Sequence, residues 1–160
     1  LAKVVEVGET AFAAADPDHP AFFKENPATT AEVLATLDAE FAQRLATCDF
    51  DAFVTTHEAF TYLARAYGLR QVALEGAAPE SEPSAAAIED ALAAIADGSA
   101  APAVFAEATE GGRRIGGAVA TDAGVPLYGL STLETDPAPL AYPAVMRANL
   151  ESLATGLGCR

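Results

Sequence analysis

Tryptophan is absent, methionine occurs once, and only two cysteines and two histidines stand among the 160 residues. No uninterrupted apolar run reaches the ~18 residues that a bilayer crossing needs, so no membrane span is predicted. Basic residues are scarce too: nine Lys and Arg face 23 Asp and Glu, a formal net charge of −14. The nine are spread along the chain, whereas phosphate binding needs a concentrated basic face, so nucleic acid is excluded as a partner. The acidic surface is read as a solubility feature. The chain lacks a G-x-S-x-G nucleophile elbow and the GKS or GKT of a phosphate-binding loop. Gly111-Gly112-Arg113-Arg114-Ile115-Gly116-Gly117 has the wrong spacing for a dinucleotide fingerprint, so its glycines are read as loop and close-packing positions on a helix. No charged segment followed by an apolar one precedes Leu1, and the chain is read as a piece or a processed form. Cys48 and Cys159 have no CxxC neighbour and no zinc-cluster partners. They are either a disulfide clamping the ends or two inert thiols.

What is present is apolar and periodic. With 51% apolar residues the chain can bury a core of single-domain size. Its first fifty residues read as a helical arm. One helix covers Leu1 to Ala15 and is broken by Asp16-Pro17-Asp18-His19-Pro20, where His19 is read as an exposed turn residue. A short helical turn follows from Pro20 to Lys24, and Asn26-Pro27 interrupts or kinks it. Thr29-x-x-Glu32 then reads as a capping box for a helix that carries Leu34, Leu37, Phe41 and Leu45 and ends near Thr47.

From Asp51 the period changes to short apolar runs alternating with helical segments, the pattern of βα units. Strands are predicted at Ala52–Thr55, Gln71–Leu74, Ala103–Ala106 and Pro126–Gly129. Helices are predicted at Glu58–Tyr67, Ser84–Ala96, Arg113–Ala123 closed by Gly124, and from Pro143 onward. The fold class is therefore α/β: a three-layer lobe with a four-stranded parallel sheet flanked by helices, over residues 51–160, behind a helical arm over residues 1–50.

In an open parallel sheet, ligands bind beyond the carboxyl ends of the strands. There the four strands deliver His57 and Glu58; Glu75; Glu107 and Glu110; and Ser131, Glu134 and Asp136. One imidazole with several carboxylates around one crevice is the ligand set of a divalent transition metal, from zinc through manganese. A histidine at a strand-to-helix junction also suits a general base, so a stand-alone flavodoxin-like enzyme or sensor domain using His57 stays open. Phe60 and Tyr62 are either core residues or walls of the crevice around His57.

Phe53-Val-Thr-Thr-His57-Glu-Ala-Phe60-Thr-Tyr-Leu-Ala-Arg-Ala-Tyr67-Gly-Leu resembles the motif that opens the C-terminal lobe of the zinc and manganese solute-binding proteins (cluster A-I) of bacterial ABC importers. The resemblance continues through Pro79-Glu-Ser-Glu-Pro83-Ser, Val104-Phe-Ala-Glu107 and Tyr142-Pro-Ala-Val-Met-Arg-Ala-Asn-Leu150. The helix from Ala31 to Leu45, with the arm before it, is similar to the family's helix linking two lobes. The resemblance implies a receptor that captures a metal ion outside the cytoplasmic membrane, in the periplasm or at the cell surface, and hands it to an ABC permease. It implies no chemical step, so the chain is not expected to be an enzyme. His57 looks like the family's C-lobe histidine ligand. The carboxylate ligand falls on Glu134 in one alignment and on Ser131 in another, with Asp136 a further candidate, and Glu107 resembles a residue that orients a ligand from behind. The family's other two ligands come from an N-terminal lobe that this chain does not include. The resemblance implies zinc, with manganese as the alternative, at a site that this piece alone leaves weak or empty. It also favours a Cys48–Cys159 disulfide in an oxidising compartment.

Overall fold

Strand β1 (Ala52–His57) is buried along its whole length. It reads as a near-continuous apolar run because a central parallel strand is covered on both faces. The computed structural model describes residues 2–16, 18–75, 83–134 and 142–160, with only the backbone for residues 2 and 20–27. Ahead of β1 lie α1 (Ala2–Ala15) and α2 (Pro20–Arg44). After it come α3 (Thr61–Ala66), β2 (Arg70–Glu75), α4 (Ala85–Ala96), β3 (Val104–Ala106), α5 (Glu110–Ala123), β4 (Leu127–Gly129) and α6 (Tyr142–Gly156). The chain forms two compact units, Leu1–Ala42 and Gln43–Arg160.

All four strands are parallel, in the order β2-β1-β3-β4. This is a doubly wound sheet whose strand order reverses between β1 and β3, where such folds open a ligand crevice. Alternate residues of each strand serve opposite faces. On one face Val54, Leu74 and Val104 meet Ile88 and Leu92 of α4 and Ile115 and Val119 of α5. On the other, Phe53 and Phe105 pack edge to face at 5.6 Å, and Tyr128 stands 5.7 Å from Phe105. Helix α6 lies directly on those rings: a Cβ at Gly156 would overlap Phe105 Cζ and approach Tyr128 to 3.2 Å.

Local signals set most helix ends. Ser84 Oγ accepts from Ala87 N at 3.1 Å to cap α4, and Thr109 Oγ1 accepts from Gly112 N at 3.0 Å to cap α5. Gly124, at φ 68°, closes α5 in the left-handed conformation that glycine adopts without strain. The four glycines expected as loop and close-packing positions all lie within α5; Gly112 and Gly116 are close-packed, while Gly111 and Gly117 face open space. At Gly116 a Cβ would stand 2.8 Å from Ala106 Cβ, so α5 rides close on β3.

Several boundaries differ from the sequence expectation: β1 runs on to His57, α2 ends at Arg44 rather than near Thr47, and α5 begins at Glu110 rather than at Arg113. Asn26-Pro27 does not interrupt the chain: α2 runs unbroken from Pro20 to Arg44. Pro20 opens it, where the missing N–H costs nothing, and one lost bond at Pro27 is outweighed by a ladder of 25 residues. Thr29 is therefore an interior residue of α2 and not the start of a helix. Helix α3 begins at Thr61 rather than at Glu58, because a side chain from β2 captures the turn between them. Of the proposed stripe on α2, Leu37, Phe41 and Leu45 are buried.

The ends of the second unit are stitched together. Cys48 and Cys159 form a disulfide across a sequence separation of 111 residues. Arg44 Nη1 donates to Cys159 O at 3.0 Å, Arg160 N to Thr47 O at 3.1 Å, and Asp49 N and Phe50 N both donate to Leu157 O. Closing so long a loop restricts the unfolded chain, and reduction should lower stability by about 4–5 kcal/mol. Urea unfolding with and without reductant measures this, and alkylation of the denatured, unreduced chain should leave both sulfurs unmodified.

Candidate metal site

His57 is the last residue of β1, with Glu75 beside it in register on β2. The register of β1 with β3, Val54 to Val104 and Thr55 to Phe105, carries Glu107 to its other side. The histidine thus stands at the reversal point of the sheet. Its side chain is 11% exposed, as is that of Glu107, and Nδ1 lies 3.3 Å from Glu107 Oε1. That oxygen is buried and makes no hydrogen bond among the described residues. A carboxylate facing Nδ1 favours the tautomer with the ring proton on that nitrogen, the form whose Nε2 lone pair binds a metal.

The backbone that carries the ring is held from three directions. Thr55 Oγ1, Gln71 Nε2 and Ala59 N all donate to His57 O, at 3.0, 2.9 and 3.0 Å. These bonds stop the strand at His57 and turn the chain towards α3. Sequence reasoning passed over Gln71, although a glutamine inside a strand that also carries Val72, Ala73 and Leu74 was a visible exception.

His57 opens onto a cavity of about 410 Å³. Glu58, Ser131, Glu134, Tyr142 and Asn149 line its polar part, and Phe60, Tyr62, Leu63 and Met146 its apolar part. Phe60 is a core residue, 7% exposed, whereas Tyr62 stands 88% exposed at the rim. Partial burial raises the Tyr142 phenol above its usual range, so at neutral pH it is a neutral hydroxyl.

Of the carboxylate candidates after β4, Glu134 is exposed and lines the cavity with His57, while Asp136 lies outside the described residues. Ser131 lines the cavity too, but its Oγ accepts from Leu133 N at 3.1 Å in a local turn, and Leu133 takes a left-handed φ of 70°. The loop is anchored from α6. Asn149, 3% exposed, accepts from Ser131 N and donates to Ser131 O, both at 2.8 Å. An asparagine between Met146, Leu150 and Leu153 on one helix face was the only sequence hint of this clamp. Among the described residues no three His, Cys, Asp or Glu side chains converge to hold a metal. His19, in the first unit, is exposed and pairs with Asp16 at 3.0 Å.

The sequence model of the periplasmic zinc-uptake complex component A, ZnuA, matches residues 1–156. The chain belongs to this family. It is 34% identical over 157 residues to the zinc-binding lipoprotein AdcA of Streptococcus pneumoniae, an alignment that covers 94% of this chain and 31% of that protein. It is 30% identical over 148 residues to the high-affinity zinc uptake system protein ZnuA of Bacillus subtilis, covering 89% of this chain and 46% of that one. The crystal structure of the laminin-binding protein Lbp of Streptococcus pyogenes superposes with a TM-score of 0.83 at 30% identity, over 93% of this chain and 58% of that chain. The chain thus spans less than half the length of these two curated relatives. Its parallel sheet and flanking helices match the solute-binding fold of this structural neighbour.

Replacing Asn149 by Leu removes the two bonds that its amide makes to Ser131 N–H and C=O in a half-buried place. The expected cost is about 2–4 kcal/mol, read from the urea midpoint.

Proposed function

We propose that this chain is the C-terminal, metal-capturing lobe of an extracytoplasmic receptor for an ABC importer, with zinc as its cargo. Residues 1–50 then form the arm that links it to an N-terminal lobe, and the lobe delivers its ion to a permease in the membrane. The observation that carries this reading is His57 lining the cavity with the Glu107 carboxylate 3.3 Å from its Nδ1. A buried carboxylate facing Nδ1 turns Nε2 outward, the arrangement by which ligating histidines are oriented. Glu134, on the loop after β4 and lining the same cavity, is the second ligand. Its exposure suits a group that meets the metal as it arrives. Family membership and the zinc-binding character stated for AdcA favour zinc over manganese, as does the softer imidazole donor.

Two protein ligands fall short of the four that zinc takes in a closed site, or of three plus water in an open one. The remaining ligands come from the other lobe, and high affinity belongs to the two-lobed protein. Among the described residues no helix is long and apolar enough to cross a membrane.

Calorimetric titration with zinc should show weak binding to this chain and sub-micromolar binding to a form extended by the N-terminal lobe; no binding by either overturns the proposal. In the extended form, Glu107→Gln should weaken zinc binding by about 10–100-fold. His57→Ala should weaken it further, with little effect on the urea midpoint.

A further inference from the structure

Helix α3 has six residues, and its N-cap, Phe60, offers no side-chain acceptor. So short a helix with uncapped N–H groups is unstable by itself. The missing acceptor comes from the neighbouring strand: Gln71 Oε1 accepts from Phe60 N at 3.2 Å and from Thr61 Oγ1 at 3.1 Å. The other end of the same amide works on β1. Gln71 Nε2 donates to Thr55 Oγ1 at 2.7 Å and to His57 O at 2.9 Å. A primary amide has two N–H donors and two acceptor lone pairs, and all four are used here. The four partners, Thr55, His57, Phe60 and Thr61, bracket the turn that presents the imidazole.

We propose that Gln71 is a positioning residue for His57, and that its amide sets the ring orientation by clamping the end of β1 to the start of α3. The inference rests on the reading of His57 as a metal ligand, which it deepens. Glu107 touches the ring from one side only, through Nδ1, and one contact leaves the imidazole free to swing about its Cα–Cβ bond whenever the backbone moves. Gln71 removes that freedom from below by holding the carbonyl of the same residue. It also couples ring position to the cavity wall, because the helix it caps carries Tyr62 and Leu63.

Two substitutions separate the parts of this clamp. Gln71→Leu removes all four bonds at similar volume. Gln71→Glu keeps the acceptor for Phe60 N and Thr61 but turns an oxygen towards His57 O, so the strand half of the clamp is repelled at constant shape. Leu92→Ala is the control, since it loosens the core on the opposite face of the sheet and touches no part of the turn. The first measurement needs no metal: long-range 15N–1H spectra of the imidazoles in this 160-residue chain. The wild type should show His57 as a single tautomer protonated at Nδ1. Both Gln71 variants should show averaged or doubled ring signals, while Leu92→Ala at comparable loss of melting temperature keeps the single tautomer. If Gln71→Leu does not fold, Gln71→Glu carries the test.

The second measurement follows the same ring signals during zinc titration, where the Gln71 variants should bind about 10–100-fold more weakly than the wild type. This titration uses the form extended by the N-terminal lobe; a wild type whose ring is a single tautomer but does not respond to zinc there contradicts the receptor reading and leaves the clamp standing. Gln71 variants that keep the single tautomer, or a Leu92→Ala chain that loses it equally, overturn the clamp.

Discussion

A partly charged pair almost out of water is the constraint on which this lobe turns. His57 and Glu107, each 11% exposed, stand 3.3 Å apart, so a carboxylate acceptor faces the one ring nitrogen able to carry a donor towards it. Burying either alone would leave an unsatisfied polar group. The pair therefore requires β1 and β3 to be neighbours in a fixed register, since a slip of one residue would turn His57 to the opposite face of the sheet. The apolar strands, their crossovers and the tight seating of α5 and α6 against the sheet all serve that register.

Around this pair the support is made of amides. Gln71 and Asn149 come from different elements, β2 and α6, and each secures the backbone of a loop from outside it. Gln71 holds the turn after β1, and Asn149 holds Ser131 after β4. Amides suit this work because they donate and accept at once and do not titrate, so the loops keep their shape whatever the charge in the cavity. The acidic candidate Glu134 lies outside this support, exposed at the cavity.

The second unit is tied off at the far end from the cavity. The disulfide and the hydrogen bonds between residues 44–50 and 157–160 fix where β1 begins and where α6 ends. Both elements contribute to the site, β1 through His57 and α6 through Asn149. Holding their remote ends limits how far the site can loosen without any contact to the site itself.

The alternation of apolar runs and helical periods determined the α/β class, the four parallel strands and the placement of His57 at a strand end, because these depend on local patterns of burial. The Ser84 and Gly124 helix ends were equally legible, being chemistry within four residues. The continuous α2 was not, since the penalty at Pro27 is local while the ladder that outweighs it is not. The late start of α3 was hidden for a related reason: the acceptor that captures Phe60 N lies eleven residues away on another strand. Likewise, the strand pattern supplied the acidic residues after each strand without ranking them, and it was the family resemblance that pointed to Glu107 behind His57. Which serine is spent in a turn and which amide clamps which loop were decided by strand register and by helix packing, because hydrogen bonds join neighbours in space, and only the tertiary fold says who those neighbours are.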